Sequence, residues 1–400
     1  MIVHLDGDAF FASVEQAAAS RLRGKAVAVG GARRGIIASA SYEARRCGVF
    51  TPMPTTQALK VCPHLILIPG DFEKYEHFSR MMFSYFYDFT PEVEITGIDE
   101  GYADMRGNRR VSAEKAAEMI RRGIVQSLRI TVSEGVASNK LVAQIASKWR
   151  KPYGLTHVVA GGEARFLEPL EVGWLPGIGP KTAAVFRQAG LRLIGDVAQA
   201  PLACLRLLVG RGAQVLGDHA RGIDPRPVVA TREAAKSYGE QETFAEDTVD
   251  AAFVRRTMRL MTDRQMERMR ADDVCARTVG VHVRYTDMAE ASRSESLVEP
   301  TRLADDFYTV VERLLHKAWD RRVRLRMVRV SFSNLYRGYP MPDLFFALGQ
   351  RGKTDRLQTL VAEMQSRYGA SSLMRGHQFL LDSRERHQKS VRVEGRGKQG

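Results

Sequence analysis

Two short acidic clusters hold the residues most able to do chemistry. His4-Leu5-Asp6-Gly7-Asp8-Ala9-Phe10-Phe11 ends an apolar run at the N-terminus, and Ile95-Thr96-Gly97-Ile98-Asp99-Glu100 lies far downstream. Each sets carboxylates at the end of a strand-like segment. Carboxylates drawn together from distant strands repel one another unless a hard divalent cation binds between them, and Mg²⁺ takes such oxygen ligands. Asp and Gly are also ordinary turn residues, so either cluster alone reads first as a solvated turn.

The surrounding charge shifts that balance toward phosphates. Lys and Arg number 60 against 46 Asp and Glu, a net charge of +14. Such an excess implies a polyanionic partner, nucleic acid before anionic membrane. Ser39-Ala40-Ser41-Tyr42-Glu43-Ala44-Arg45-Arg46 offers hydroxyl, phenol and guanidinium donors, and the Arg fork suits a triphosphate. Lys151 could add a point charge, although each of these cations taken singly reads as a surface residue. Phe10 and Phe11 begin a helix, where adjacent rings point to different sides and the core needs only one. The other could lie against a sugar and exclude a 2′-hydroxyl; the plain alternative is two core aromatics. Leu175-Pro176-Gly177-Ile178-Gly179-Pro180-Lys181 resembles a helix-hairpin-helix, in which glycines let backbone N–H groups hold a phosphate without reading bases. A plain helix–helix turn is the alternative there.

These residues need elements to position them. Ile2–Asp6 reads as a buried strand, 10–19 as a helix, and 25–29 and 35–39 as two strands. Residues 92–97 and 101–105 flank Asp99-Glu100 as a hairpin. A helix over 112–128, a strand over 130–136 and a helix from Ser138 as N-cap to Trp149 complete a βαββαβ-like α+β layer able to bring Asp6 to Asp99 and Glu100. Residues 166–222 read as helical and 224–236 as a linker region. Beyond it Arg277–Tyr285 alternates strictly, 303–319 is an amphipathic helix, and 326–332 alternates again. That predicts a second α/β domain whose open sheet face carries arginines, Arg284 and Arg329 among them. The stretch 353–368 is helical in pattern, and the tail after Ser383 is basic and poor in apolar residues.

At 400 residues the chain exceeds one ordinary core, and about two to four domains are expected. No apolar run is long enough to span a bilayer, and the N-terminus lacks a signal-peptide pattern, so a cytoplasmic protein with no membrane partner is expected. Cys47, Cys62, Cys204 and Cys275 have no metal-ligand spacing and read as buried free thiols.

Taken in order, these motifs resemble those of the Y-family, translesion DNA polymerases, and in particular the bacterial polymerase IV-like subgroup. The resemblance runs through most of residues 1–345. Asp6-Gly7-Asp8-Ala9-Phe10-Phe11-Ala12 is similar to the first catalytic motif, and Ala40-Ser41-Tyr42-Glu43-Ala44-Arg45 with Gly48-Val49 to the triphosphate-holding fingers motif. Ile98-Asp99-Glu100 is similar to the second acidic motif, Lys151-Pro152-Tyr153-Gly154 to the phosphate-binding lysine turn, and Leu175-Pro176-Gly177-Ile178-Gly179 to the thumb hairpin.

The resemblance implies an α+β right-hand polymerase. Its parts would be a ferredoxin-like palm (1–10 and 75–165), small fingers (11–74), a helical thumb (166–232), a linker (233–240), an α/β little finger (241–345) and a C-terminal helix and basic tail (346–400). Asp6, Asp99 and Glu100 would hold two Mg²⁺, with Mn²⁺ as a substitute, and Asp8 would be supporting. Phe11 would be the steric gate, and Ser39, Tyr42, Arg45 and Lys151 would join it in binding the deoxynucleoside triphosphate. Gly30, Ile36 and Ala38 would roof the nascent pair. Gly177, Gly179, Lys181, Arg284 and Arg329 would contact primer-template DNA. The implied reaction is template-directed, low-fidelity nucleotidyl transfer in damage tolerance, by a monomeric, nucleoid-associated bacterial protein. An inactive, polymerase-like DNA-binding accessory protein is the competing class.

Four positions depart from the family pattern. Gly97 stands for Ser and Gly101 for Ala, which is expected to loosen the hairpin carrying Asp99. Tyr153 replaces Asn. Met341-Pro342-Asp343-Leu344-Phe345 occupies the place of a sliding-clamp peptide but lacks its leading Gln and Leu.

Overall fold

A computed structural model describes residues 1–338 other than Arg33, Arg232 and Glu233, together with Leu357, Leu360, Val361, Met364, Arg367 and Tyr368. It divides into two units, Met1–Glu233 and Ala234–Gly400. The first unit begins β1 (Ile2–Gly7), α1 (Phe10–Ala18), β2 (Val27–Gly30), β3 (Ile36–Ala40), α2 (Tyr42–Arg46), β4 (Met53–Pro54), α3 (Thr55–Val61) and β5 (Ile66–Ile68). It continues with α4 (Phe72–Tyr87), β6 (Val93–Ile95), β7 (Glu100–Asp104), α5 (Ala113–Leu128), β8 (Val132–Ala137), α6 (Lys140–Trp149) and β9 (Leu155–His157). Short helices follow: α7 (Glu163–Leu167), α8 (Pro180–Gln188), α9 (Ile194–Gln199), α10 (Leu202–Val209) and α11 (Ala213–Ala220).

β1 is buried at every position, as a strand covered on both faces must be. It sits centrally in a sheet of order β6-β7-β1-β8-β9. Antiparallel register places Asp6 opposite Glu100 on one side and Ser133 on the other, so the two acidic clusters meet at one sheet end. One face carries α4 and α5 on a core that includes Leu5, Phe83, Phe86 and Ile120. The other face carries α6, whose Leu141, Ile145 and Ala146 share a core with Leu175, Phe186 and Val197 of the helical segment. A separate sheet, β4-β3-β2-β5, spans the insertion between α1 and α4.

Two expectations about boundaries change. Asn139, not Ser138, caps α6: its side chain accepts from Val142 N at 3.0 Å, whereas the Ser138 hydroxyl donates to Glu163 at 2.5 Å. The region expected as a free linker from Asp224 is strapped to the first unit instead. Asp224 accepts from Leu141 N at 3.0 Å, and Val229 N donates to Glu94 at 2.8 Å.

The second unit holds β10 (Tyr238–Thr248), α12 (Ala251–Ala271), β11 (Val274–Tyr285), β12 (Glu290–Thr301), α13 (Ala304–Ala318) and β13 (Leu325–Arg337). β10 starts inside the expected 233–240 connector. The sheet order is β10-β13-β11-β12. Val279, Val281, Val283, Tyr285, Val328, Val330 and Phe332 all face the core, as their alternation requires. Sequence alternation does not announce β10, α12 or β12. The apolar stripe of α12 is made of methionines set among arginines, Met258, Met261, Met266 and Met269, which dilutes its periodic signal. The 341–345 segment and the tail after Ser383 lie outside the described residues, while the described positions of the 353–368 stretch are helical. No helix among the described residues is long and apolar enough to cross a membrane.

Candidate active site

Strand pairing alone brings the carboxylates to one place. Gly7 N donates to Asp99 O at 2.8 Å, which ties the turn before β7 to the end of β1. Asp6 is 7% exposed. Burial first, then the neighbouring charges of Asp6 and Glu100, push the Asp99 carboxyl up to about 6, with Lys151 pulling the other way. A like-charge cluster of oxygen donors that raises a member's pKa is a donor set short of positive charge, which fits a hard divalent cation.

Lysines supply part of that charge. The Lys151 ammonium bonds the Asp6 carboxylate, and Lys148 lies 3.4 Å from Glu100 and 3.8 Å from Asp6. Sequence inspection does not single out Lys148; its signal is a cation one turn before Lys151 on the sheet-facing helix. His4 Nε2 is 4.0 Å from Glu100, too far for a hydrogen bond. Burial and the nearby Lys148, Lys151 and Lys140 hold that imidazole well below its ordinary pKa, so it stays neutral. Its Nδ1 is paired with Ser147 at 2.8 Å.

Asp8 has a different task. It is fully buried, and it accepts from Ser133 Oγ and from Tyr153 N, each at 2.8 Å. Arg121 donates to Tyr153 O at 2.6 Å with its guanidinium 4.0 Å from the Tyr153 ring. The departure at Tyr153 thus gains a partner, and the lysine turn is fastened from two sides.

The hairpin carrying Asp99 is tight. Both Thr96 N and Gly97 N donate to Glu100 O, at 3.2 and 3.0 Å. A Cβ on Gly101 would stand 2.9 Å from Glu94 O and from Phe83, so glycine there permits close packing rather than slack. The expected loosening does not follow at Gly101, and at Gly97 the backbone is closed by its own bond.

Phe10 enters the core, 3% exposed. Phe11 stacks on Tyr75 with centroids 4.5 Å apart, and Phe72 meets it edge-on at 5.8 Å. The Tyr75 hydroxyl donates to buried Glu15 at 2.8 Å, and Lys74 joins the same carboxylate at 3.0 Å. Phe11 therefore rests on a fixed platform, which sequence could not reveal because its parts lie on two helices.

The fingers motif splits in role. Ser39, expected as a direct substrate ligand, is 6% exposed and accepts from Ala12 N at 3.2 Å, bracing the helix that carries Phe11. The Tyr42 hydroxyl is buried without a partner, and burial with Asp8 nearby pushes its pKa up to about 12. Arg45 donates to Ala40 O at 3.0 Å and lies 4.8 Å from the Tyr42 ring. Ile36 and Ala38 are exposed on β3, while Gly30 is required by packing: a Cβ there would meet Ile36 O at 2.4 Å.

Gly177 (φ 90°), Gly179 and Lys181 are exposed around the start of α8, and a Cβ on either glycine would meet nothing within 4 Å. In the second unit, Arg284 and Arg329 line one groove with Gln241, His282 and Arg293 on the face opposite the helices. Arg284 is paired with Glu290 at 2.6 Å, so it is not the free cation its position suggests. All four cysteines are free thiols, Cys62 and Cys275 buried as expected and Cys47 and Cys204 only half-buried; Cys47 and Cys62 converge with His64, their ligand atoms all within 4.8 Å of one another. Among the described residues no other three His, Cys, Asp or Glu side chains converge so closely, so the oxygens of Asp6, Asp99 and Glu100 stand wider apart.

Known proteins are similar to this chain over most of its length. Residues 5–148 match the impB/mucB/samB family and residues 235–343 the impB/mucB/samB family C-terminal domain. DNA polymerase IV of Opitutus terrae is 45% identical over 382 residues, 94% of this chain and 97% of that protein. DNA polymerase IV 1 of Bacillus subtilis is 33% identical, with 94% and 92% covered. A Y-family DNA polymerase chimera of Dbh and Dpo4 superposes with a TM-score of 0.77 at 26% identity, covering 84% of this chain and 99% of that one. An insertion ternary complex of Dbh DNA polymerase gives 0.60 with the same coverage. The chain belongs to the impB/mucB/samB family, the Y-family of translesion DNA polymerases. Within it the chain falls with the bacterial DNA polymerase IV proteins, and membership carries DNA-directed DNA synthesis that depends on a divalent metal.

Proposed function

We propose that this chain adds deoxynucleotides to a primer 3′-hydroxyl with Asp6, Asp99 and Glu100 as the metal ligands. The observation that supports this most is the meeting of three carboxylates at one sheet end, where burial first and then the charges of Asp6 and Glu100 lift Asp99 to about 6. Two Mg²⁺ bound there would acidify the primer hydroxyl and offset charge on the leaving pyrophosphate. Asp6 and Glu100 face each other across paired strands, so the sheet itself sets their spacing. Lys151 and Arg45 neutralise the β- and γ-phosphates, and the unpartnered Tyr42 hydroxyl donates to a phosphate oxygen. Phe11, held on Tyr75, closes the space beside the sugar against a 2′-hydroxyl. The exposed glycines before α8 and the arginine-lined groove of the second unit bind the template-primer backbone.

We assign residues 1–10 and 75–165 to the palm, 11–74 to the fingers, 166–232 to the thumb and 241–345 to the little finger, in a monomer of the bacterial cytoplasm. The test is Mg²⁺-dependent extension of a primed template by the wild type and by Asp99→Asn. Extension by the wild type alone, with template binding equal in both, is the expected result. A wild type that binds template but adds no nucleotide would instead support the inactive accessory class.

A further inference from the structure

The helix ends beside the short sheet β4-β3-β2-β5 carry a second group of ligand-type side chains, apart from the carboxylates on β1 and β7. Cys47 terminates α2, Cys62 terminates α3, and His64 follows in the turn to β5. The His64 Nε2 is 3.8 Å from Cys47 Sγ and 3.6 Å from Cys62 Sγ. For a tetrahedral ion bound at the usual Zn–S and Zn–N lengths, an S···N ligand pair is separated by about 3.6 Å. The side chains are thus nearly at coordination spacing. Cys62 is buried and His64 exposed, so the group opens to solvent on one side only. That side is a cavity of about 510 Å³ lined by Glu43, Cys47 and His64. It leaves room for water as a fourth ligand.

We propose that Cys47, Cys62 and His64 form a binding site for one tetrahedral, borderline-soft divalent cation of the Zn²⁺ class. Two thiolates and an imidazole disfavour Mg²⁺, which separates this site from the carboxylates on β1 and β7. Both thiols release their protons to the medium on binding, and no electron changes hands. The ion would join the ends of α2 and α3, and α2 carries Tyr42 and Arg45.

The test uses the full chain, reduced, with Zn²⁺ alone as probe in competition with a chromophoric chelator, and Co²⁺ as a spectroscopic substitute. One Zn²⁺ per chain and a thiolate-to-cobalt charge-transfer band are expected. His64→Ala, which removes an exposed side chain, and Cys47→Ser should each weaken Zn²⁺ by more than about tenfold, the least that loss of even an outer partner of a ligand costs. Cys204→Ser should leave it unchanged. Absence of the charge-transfer band in chain with all four thiols titratable overturns the proposal. So does Zn²⁺ uptake that neither His64→Ala nor Cys47→Ser alters, which would place the ion elsewhere.

Discussion

The strand ends of the first unit and the open face of the second both carry charge for a polyanionic substrate, but they hold it differently. At Asp6 and Glu100 the acids are already paired with Lys151 and Lys148, and Asp8 is locked to Ser133 and Tyr153. On the open face, Arg329 makes no ion pair among the described residues and is exposed, while Arg284 is held by Glu290, against which His282 also lies at 3.5 Å. Chemistry requires atoms fixed to within fractions of an ångström, and the first site meets this by interlocking opposite charges. Grip on a backbone requires only positive charge at the surface, so the second face leaves its cations loose.

The largest effect should separate two carboxylates two residues apart. Asp6→Asn is expected to lower primer extension by at least about a hundredfold through lost transition-state stabilisation, with folding intact. Asp8→Asn should mainly destabilise, by about 1–3 kcal/mol, because the carboxylate is fully buried and accepts from Ser133 and Tyr153. Single-turnover extension and urea denaturation of both variants would show whether the interlock divides into chemical and structural members; equal effects on both measures would erase the distinction.

Next in size is Lys151→Ala, for which KM for the nucleotide should rise roughly tenfold or more, the scale of one lost charge-assisted bond. An unchanged KM would confine Lys151 to balancing Asp6. Phe11→Ala should raise ribonucleotide incorporation with deoxynucleotide addition largely kept, and Tyr75→Ala should do the same more weakly by removing the platform. If sugar selection is unmoved in both, the ring is only packing.

The smaller effects concern electrostatics. Asp99 binds its proton more tightly folded than unfolded, with about 6 against an ordinary 3.8. The favourable contribution of the protonated form is complete below the lower value and lost as pH rises through the upper one. Without metal, Asp99→Asn should therefore gain thermal stability over wild type by roughly a few degrees at about pH 7.5 relative to about pH 4.5. Adding Mg²⁺ at the higher pH should close the gap by stabilising the wild type. On the open face, Arg329→Ala should flatten the salt dependence of DNA binding by about one counterion, and Arg284→Ala by less because Glu290 already neutralises it. Equal slopes would mean that the Glu290 pair opens on binding.

What could be seen in the sequence follows from how local each device is. Asp6 ends an apolar N-terminal strand and Asp99-Glu100 sits in the connection of a hairpin of the same α+β pattern, so their meeting could be anticipated. The alternation of Val279 to Tyr285 and of Val328 to Phe332 likewise announced the second sheet. Lys148 could not be distinguished from any helix-surface lysine until α6 was laid on β1. The Glu15–Tyr75 brace joins α1 to α4, and the Cys47–Cys62–His64 group is made by three chain turns meeting. The strap at Asp224 looked like a linker because the bonds that fasten it to the first unit, from Leu141 N to Asp224 and from Val229 N to Glu94, join residues far apart in the chain.

One consequence of the lysine at Asp6 concerns the order in which ligands assemble. A Lys151 ammonium held against Asp6 has fewer donors to offer a triphosphate, and an Asp6 oxygen engaged by Lys151 competes less well for a cation. A nucleotide that draws Lys151 away frees the carboxylate for metal, and a metal on Asp6 releases the lysine for a nucleotide. Each ligand therefore tightens the other by the same factor, as reciprocity demands. The site is partly neutralised by its own lysines when empty and becomes receptive to both ligands together. Mg²⁺ affinity measured with and without a non-reacting nucleotide would give that factor directly, and Lys151→Ala should reduce it.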